Sequence, residues 1–111
     1  MLAFDIRYDL YGQGEPRVVL YKPGTMTPGE TISLSEAERR GIVSKEQAEP
    51  LYRRALAIRE KILGPDHPRV ALVLENYATL LRQTGREPQA AEMEARATAI
   101  RAKHAQENPK K

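Results

Sequence analysis

Along the first ten residues Phe4, Ile6, Tyr8 and Leu10 alternate with Asp5, Arg7 and Asp9. A period of two places the apolar set on one face of a half-buried strand. Gly12-Gln13-Gly14-Glu15-Pro16 supplies turn chemistry, and Arg17-Val18-Val19-Leu20-Tyr21-Lys22 returns as an antiparallel partner. The two runs predict a β-hairpin. After it comes a loop in which Pro23-Gly24 and Pro28-Gly29 bracket Thr25-Met26-Thr27. An isolated hairpin is marginal in water, so this one must pack on the rest of the chain or on another chain.

From Ser35 the period lengthens to that of helices. Ser35-Glu36-Ala37-Glu38 has the form of a capping box, and Gly41 can close the short helix behind it. Ser44-Lys45-Glu46-Gln47 repeats the signal and opens a long amphipathic segment to Leu63, with Ala48, Leu51, Tyr52, Ala55, Ile58 and Ile62 on one face. Gly64-Pro65 breaks it. A third helix starts near Asp66 to Pro68, carries the stripe Val70, Val73, Leu74, Tyr77, Ala78, Leu81 and runs until Gly85; a fourth spans about Pro88 to Lys103. The polar tail Ala105 to Lys111 is expected to fray. The whole reads as a mostly α chain: a β-hairpin and Pro/Gly loop in 1–33, three to four antiparallel helices in 34–104, and a tail in 105–111.

Composition narrows the chemistry. A chain of 111 residues is expected to be one domain, or one small domain with an appended segment, and with one Phe, five Tyr and no Trp its core is mainly aliphatic. Without cysteine there are no disulfides, no thiolate catalysis and no Cys-based metal site, which fits a reducing compartment and makes a cytoplasmic location the default. No run approaches the roughly 18 apolar residues of a membrane helix, and Asp5, Arg7 and Asp9 interrupt the place where a signal peptide would be apolar. The net charge of +3 divides into −1 over residues 1–43 and +4 over 44–111. Arg53, Arg54, Arg59 and Arg69 alternate with Glu46, Glu49, Glu60 and Asp66, the pattern of a solvated helical face. Nucleic-acid binding through Arg53, Arg54, Arg59 and Lys61 is therefore a minor alternative.

The most informative feature is internal. Residues 54–61, RALAIREK, align with 96–103, RATAIRAK, at an offset of 42, and seven of fourteen positions agree between 48–61 and 90–103. A fixed period of this size marks stacked-repeat architectures, in which a helix pair buries its face only against its neighbour.

The stretch Ala48 to Pro68, AEPLYRRALAIREKILGPDHP, resembles the 42-residue, kinesin-light-chain type of tetratricopeptide repeat. Leu74 to Leu81 resembles the first helix of that family, Gly85-Arg86 its inter-helix turn, and Ala90 and Ala97 its small second-helix positions. The likeness covers about 47–103, with Leu34 to Val43 as a degenerate preceding helix. Glu87 and Glu94 depart from the family's aromatic positions and suit a polar capping end. The resemblance implies non-catalytic binding of an extended peptide or of another subunit on the face of the first helix. By position that implicates Leu72, Glu75, Asn76, Thr79, Arg82 and Gln83, with Asn76 holding a peptide backbone through its two-sided amide. The competing reading of these residues is an ordinary wet helix face.

Roughly three repeats are usually needed for such an array to stand alone. Self-association is accordingly expected, through the Ala48/Leu51/Tyr52/Ala55 face or the hairpin edge. A leading alternative is a small regulatory, antitoxin-like protein that pairs with its partner through that edge. Tyr8, Tyr11 and Tyr21 pack on the second helix or serve an interface. His67 shapes a helix start, and His104 stands with no second His nearby in sequence. Asp5 and Asp9 have no accompanying nucleophile, and Gly12-x-Gly14 lacks the remainder of a phosphate loop. No enzyme, cofactor or metal is expected.

Overall fold

The computed structural model describes residues 4–8, 14–22, 24–25 and 27–107. Alternation in the first residues produces β1 (Phe4–Arg7), and the β-branched run after the turn produces β2 (Arg17–Tyr21). They pair antiparallel with Ile6 opposite Val18. The expected hairpin is a three-stranded sheet, because Pro28–Ser33 forms β3 on the other side of β2. Its first two residues, Pro28 and Gly29, read as loop. They enter the strand because the pairing slips between Val19 and Tyr21: three steps of β3, from Thr31 to Pro28, face two steps of β2. Such a bulge accommodates a proline that cannot donate to the ladder. Ile6, Val18 and Ile32 lie abreast on the inner face and join the core.

β3 runs directly into α1 (Leu34–Arg39), and here the cap lies two residues before the expected one. Ser33, not Ser35, is the N-cap, its hydroxyl accepting from the Glu36 amide at 3.1 Å. Ser35 instead donates both its amide (2.8 Å) and its hydroxyl (2.7 Å) to Glu15. A carboxylate from the turn before β2 thus satisfies an orphan amide of α1, which no local sequence pattern announces. The end of α1 is as expected. Gly41 has φ +75°, the Ile42 amide donates to the Ala37 carbonyl at 2.9 Å and the Gly41 amide to Glu38 at 3.0 Å, the two bonds of a Schellman motif.

α2 (Lys45–Leu63) opens with the expected capping box between Ser44 and Gln47. Its buried arc is Ala48, Tyr52, Ala55, Leu56 and Arg59, while Ile62 stands 60% exposed. Arg59 overturns the solvated-face reading: it is 2% exposed and donates to the Arg69 carbonyl at 2.8 Å. The Ala48/Tyr52/Ala55 face is likewise consumed inside the chain, so it is not a free surface for a second copy. α3 (Pro68–Gln83) is the central element, burying Val70, Ala71, Val73, Leu74, Tyr77, Ala78, Leu80 and Leu81. A second Schellman pair closes it, Arg86 amide to Leu81 carbonyl and Gly85 amide to Arg82 carbonyl. α4 (Glu87–Glu107) buries only Ala90, Ala97 and Ile100. It continues through Ala105, Gln106 and Glu107, where fraying was expected; these are good helix formers, and the chain approaches Pro109 only afterwards.

β2 and β3 pack on α1, and the residues that flank β1 and β2 reach α2 and α3. Gly14, at φ +86°, sits so close to α3 that a Cβ there would lie 2.7 Å from the backbone and Cβ of Leu72. Tyr8 lies under the Arg54 guanidinium, 5.7 Å from ring centroid to cation, which places it on α2 as expected. Tyr21 does not pack on α2; its hydroxyl donates to Asp5 on β1 at 2.7 Å. Leu10, Asp9, Tyr11 and Gly12 lie outside the described residues, as do Asn108 to Lys111.

Candidate protein-interaction site

The junction of α2 and α3 is held by a continuous set of contacts. The Tyr52 and Tyr77 rings stack with centroids 6.2 Å apart and planes 6° from parallel. The Tyr52 hydroxyl donates to Glu15 at 3.3 Å, and burial lifts its pKa well above the ordinary phenol value. On the other ring the Tyr77 hydroxyl donates to Glu49 at 3.2 Å. Glu49 also receives both terminal nitrogens of Arg86, from the α3–α4 turn, which hold its carboxyl below its ordinary pKa. A bidentate guanidinium–carboxylate pair fixes geometry as well as charge. The α3–α4 turn is thereby clamped to the start of α2.

Beside this junction α1, the first two turns of α2 and the C-terminal half of α3 leave a cleft of about 300 Å³. Its walls are Ser35, Glu38 and Arg39 on one side, and Asn76, Thr79 and Gln83 on the other, with Lys45 at one end and Tyr52 and Leu80 beneath. The lining is polar over an apolar floor. Burial raises the Glu38 carboxyl above its ordinary pKa, and the nearby Lys45 charge opposes that shift.

Of the six residues expected to bind, three meet here. Leu72, Asn76, Thr79 and Gln83 follow one stripe of α3, but Leu72 lies at its N-terminal end, half-buried and close against Gly14, and lines a different cleft. Glu75 and Arg82 lie on the flank facing α4. Glu75 accepts two bonds of 2.9 Å from Arg101, and Arg82 reaches Glu87 and Glu94. The opposite wall, Ser35, Glu38 and Arg39, escaped the sequence reading, as did Lys45 at the start of α2. The wall comes from an element without repeat signature, and only the possible role of 34–43 as a degenerate helix pointed toward it.

The remaining candidates are also placed. His67 is the N-cap of α3, its Nδ1 accepting from the Arg69 amide at 3.1 Å. His104, read as isolated from any second His, lines one cleft together with His67. Among the described residues no group of three or more His, Asp or Glu could hold a metal ion. Of the basic face, Arg59 is buried and Arg53 is paired with Glu49. Among the described residues no helix is long and apolar enough to cross a membrane.

Antiparallel helix pairs of matching sequence, stacked so that the second helix of one pair packs on the first of the next, define a helical-repeat protein. The family model for the tetratricopeptide repeat matches residues 46–103, more than half of the 111, and the chain belongs to that family. Neither a curated protein nor a solved structure matches it. A tetratricopeptide-repeat domain is typically a protein-interaction module and usually non-catalytic.

Proposed function

We propose that the protein is a non-catalytic adaptor that holds an extended peptide segment of a partner protein in the cleft between α1 and α3. The observation that carries the reading is the convergence of Asn76, Thr79 and Gln83 on one wall of that cleft, opposite Ser35, Glu38 and Arg39. An extended strand presents unpaired amides and carbonyls at a regular rise, and carboxamides that both donate and accept can satisfy them from a rigid helix. Glu38, Arg39 and Lys45 give this end of the path charge of both signs, and Arg39 is already paired with Glu36, so polar rather than acidic side chains of the peptide are favoured there. Glu75 and Arg82 lie beside this surface and tie α3 to α4.

A peptide selected from a random display library against the full chain tests the reading. Asn76→Ala and Gln83→Ala together should lower its affinity at least about tenfold, the effect of losing one or two well-formed hydrogen bonds, while circular dichroism and the melting temperature stay within error. A selected peptide whose affinity is indifferent to both substitutions but lost on pairing-disruptive changes in β1 would transfer the function to the sheet edge. Self-association is the second element of the proposal, through the unpaired edge of β1 or β3 rather than the α2 face, since the latter is buried.

A further inference from the structure

β1 and β3 are the outer strands of the sheet, and they are not equally open. β3 carries Pro28, a slipped register and Glu30 held by both terminal nitrogens of Arg40 from α1, features that blunt a strand edge. β1 is regular along its pairing with β2, and among the described elements it lies beside β2 alone. The hydrogen bonds fix which of its backbone groups face outward. The Leu34 amide donates to the Pro16 carbonyl at 3.1 Å, one pair beyond Arg17 and Ser33. Bonded and non-bonded pairs alternate along an antiparallel ladder, so Val18 bonds to β3, and Arg17 and Val19 turn their groups to Arg7 and Asp5 of β1. The N–H and C=O of Phe4 and Ile6 therefore point to the outer edge.

We propose that this edge pairs antiparallel with β1 of a second copy of the chain, about a two-fold axis at Ile6, so that two three-stranded sheets join into one. The inference rests on the self-association element of the proposed function and names its strand, register and occupant. Centred on Ile6, the register sets Ile6 against Ile6 of the second copy as a bonded pair, which is what the outward groups require. It also sets Asp5 against Arg7 of the second copy, and Arg7 against its Asp5, in the non-bonded pairs where side chains stand closest. Within one chain Arg7 faces Arg17 across the ladder, two like charges, so the second copy brings an acid where charge complementarity favours one. Asp5 accepts from the Tyr21 hydroxyl through Oδ2 at 2.7 Å and has its other oxygen for the arginine. Phe4, 37% exposed, meets Tyr8 of the second copy. Moving the register by two residues, the smallest step that keeps the backbone bonds, sets Asp5 against Asp5 or Arg7 against Arg7. Strands this short bury less than the roughly 1,600 Å² of a standard interface, so the dimer is concentration-dependent, with a dissociation constant on the order of micromolar or weaker.

Sedimentation equilibrium of the full chain reads the association constant. Asp5→Arg and Arg7→Asp each bring like charges together twice about the axis and should weaken the dimer at least about tenfold. Mixing the two variants restores opposite charges at both contacts, so a heterodimer of affinity comparable to the parent is expected, with circular dichroism showing that each variant is folded. Amide hydrogen exchange of the parent chain is a second readout that needs no substitution: protection of Phe4 and Ile6 should rise with protein concentration, while that of Asp5 and Arg7, bonded to β2, should not. Asn76→Ala, in the groove, should leave the association constant unchanged, so loss of peptide binding and loss of the dimer are read apart. A dimer of unaltered affinity in both variants, no recovery on mixing, or protection at Ile6 that ignores concentration overturns the β1 pairing and leaves self-association to another surface. A chain that stays monomeric up to about 1 mM overturns the pairing and the self-association it rests on.

Discussion

α2 and α4 are two readings of one sequence, with seven of fourteen positions shared, yet one is packed on two sides and the other on one. The alanines behave alike: Ala48 and Ala55 on α2, Ala90 and Ala97 on α4, all buried where helices approach closely. The residues that differ are those by which α2 grips the next helix. Glu49, Tyr52 and Leu56 correspond to Ala91, Glu94 and Thr98. The arginine is the sharpest case, because the same residue has opposite fates: Arg59 is 2% exposed and bonded to a backbone carbonyl of α3, whereas Arg101 is exposed and paired with Glu75. Glu94 and Arg101 both turn back onto α3, the helix already behind them. The small positions therefore encode the helix pair, and the large ones encode the join between pairs.

Substitutions at matched positions measure that difference. The largest effect is expected at the aromatic join: Tyr52→Ala removes a buried ring stacked on Tyr77 and should cost about 3–5 kcal/mol in urea unfolding, whereas Glu94→Ala, which removes an exposed ion pair with Arg82, should leave the urea midpoint close to that of the parent. Equal costs would mean that the two helices are packed alike. Next comes the arginine pair. Arg59→Met leaves the Arg69 carbonyl buried without its donor and should cost about 1–3 kcal/mol, against about 0–1 kcal/mol for Arg101→Met, which breaks an exposed contact weakened further by salt.

The smallest difference is one of pH. Arg86 holds the Glu49 carboxyl below its ordinary value near 4.5 in the folded chain. A depressed folded pKa contributes stability that is complete above the unfolded value and disappears as pH falls through the folded one. Acid titration of the unfolding free energy should therefore drop less steeply below about pH 4.5 in Glu49→Gln than in the parent. Ala91, the counterpart on α4, has nothing to titrate, so Ala91→Gln should leave the acid limb unchanged.

Legibility followed the range of each interaction. The offset of 42, the four helices, the Ser44 capping box, the Gly41 and Gly85 stops and the proline at the start of α3 were readable, because each is written within a few neighbouring residues. β3 was not, since Pro28 and Gly29 carry turn chemistry and the strand has a single buried apolar residue, Ile32. Ser35 was misread for a related reason: a capping box can be recognised from spacing, but Glu15 competes for it from twenty residues away. Of the candidate groove, the α3 wall of Asn76, Thr79 and Gln83 was legible through the repeat, and the other wall was not, because α1 carries no repeat signature.

By itself the sequence determined where α2 and α3 start, where α1, α2 and α3 stop, which stripe of α3 is apolar, and that one helix–helix unit recurs. Tertiary structure decided which of two identical arginines is buried, that Glu75 and Arg82 pair with side chains of α4, and that Tyr8 and the turn before β2 lie on α2. Caps and periodicity depend on backbone geometry within a turn or two. Burial and pairing depend on which side chain arrives from elsewhere in the chain, and the partners that settled these cases lie 10 residues away for Arg59, 26 for Glu75 and 37 for Glu49.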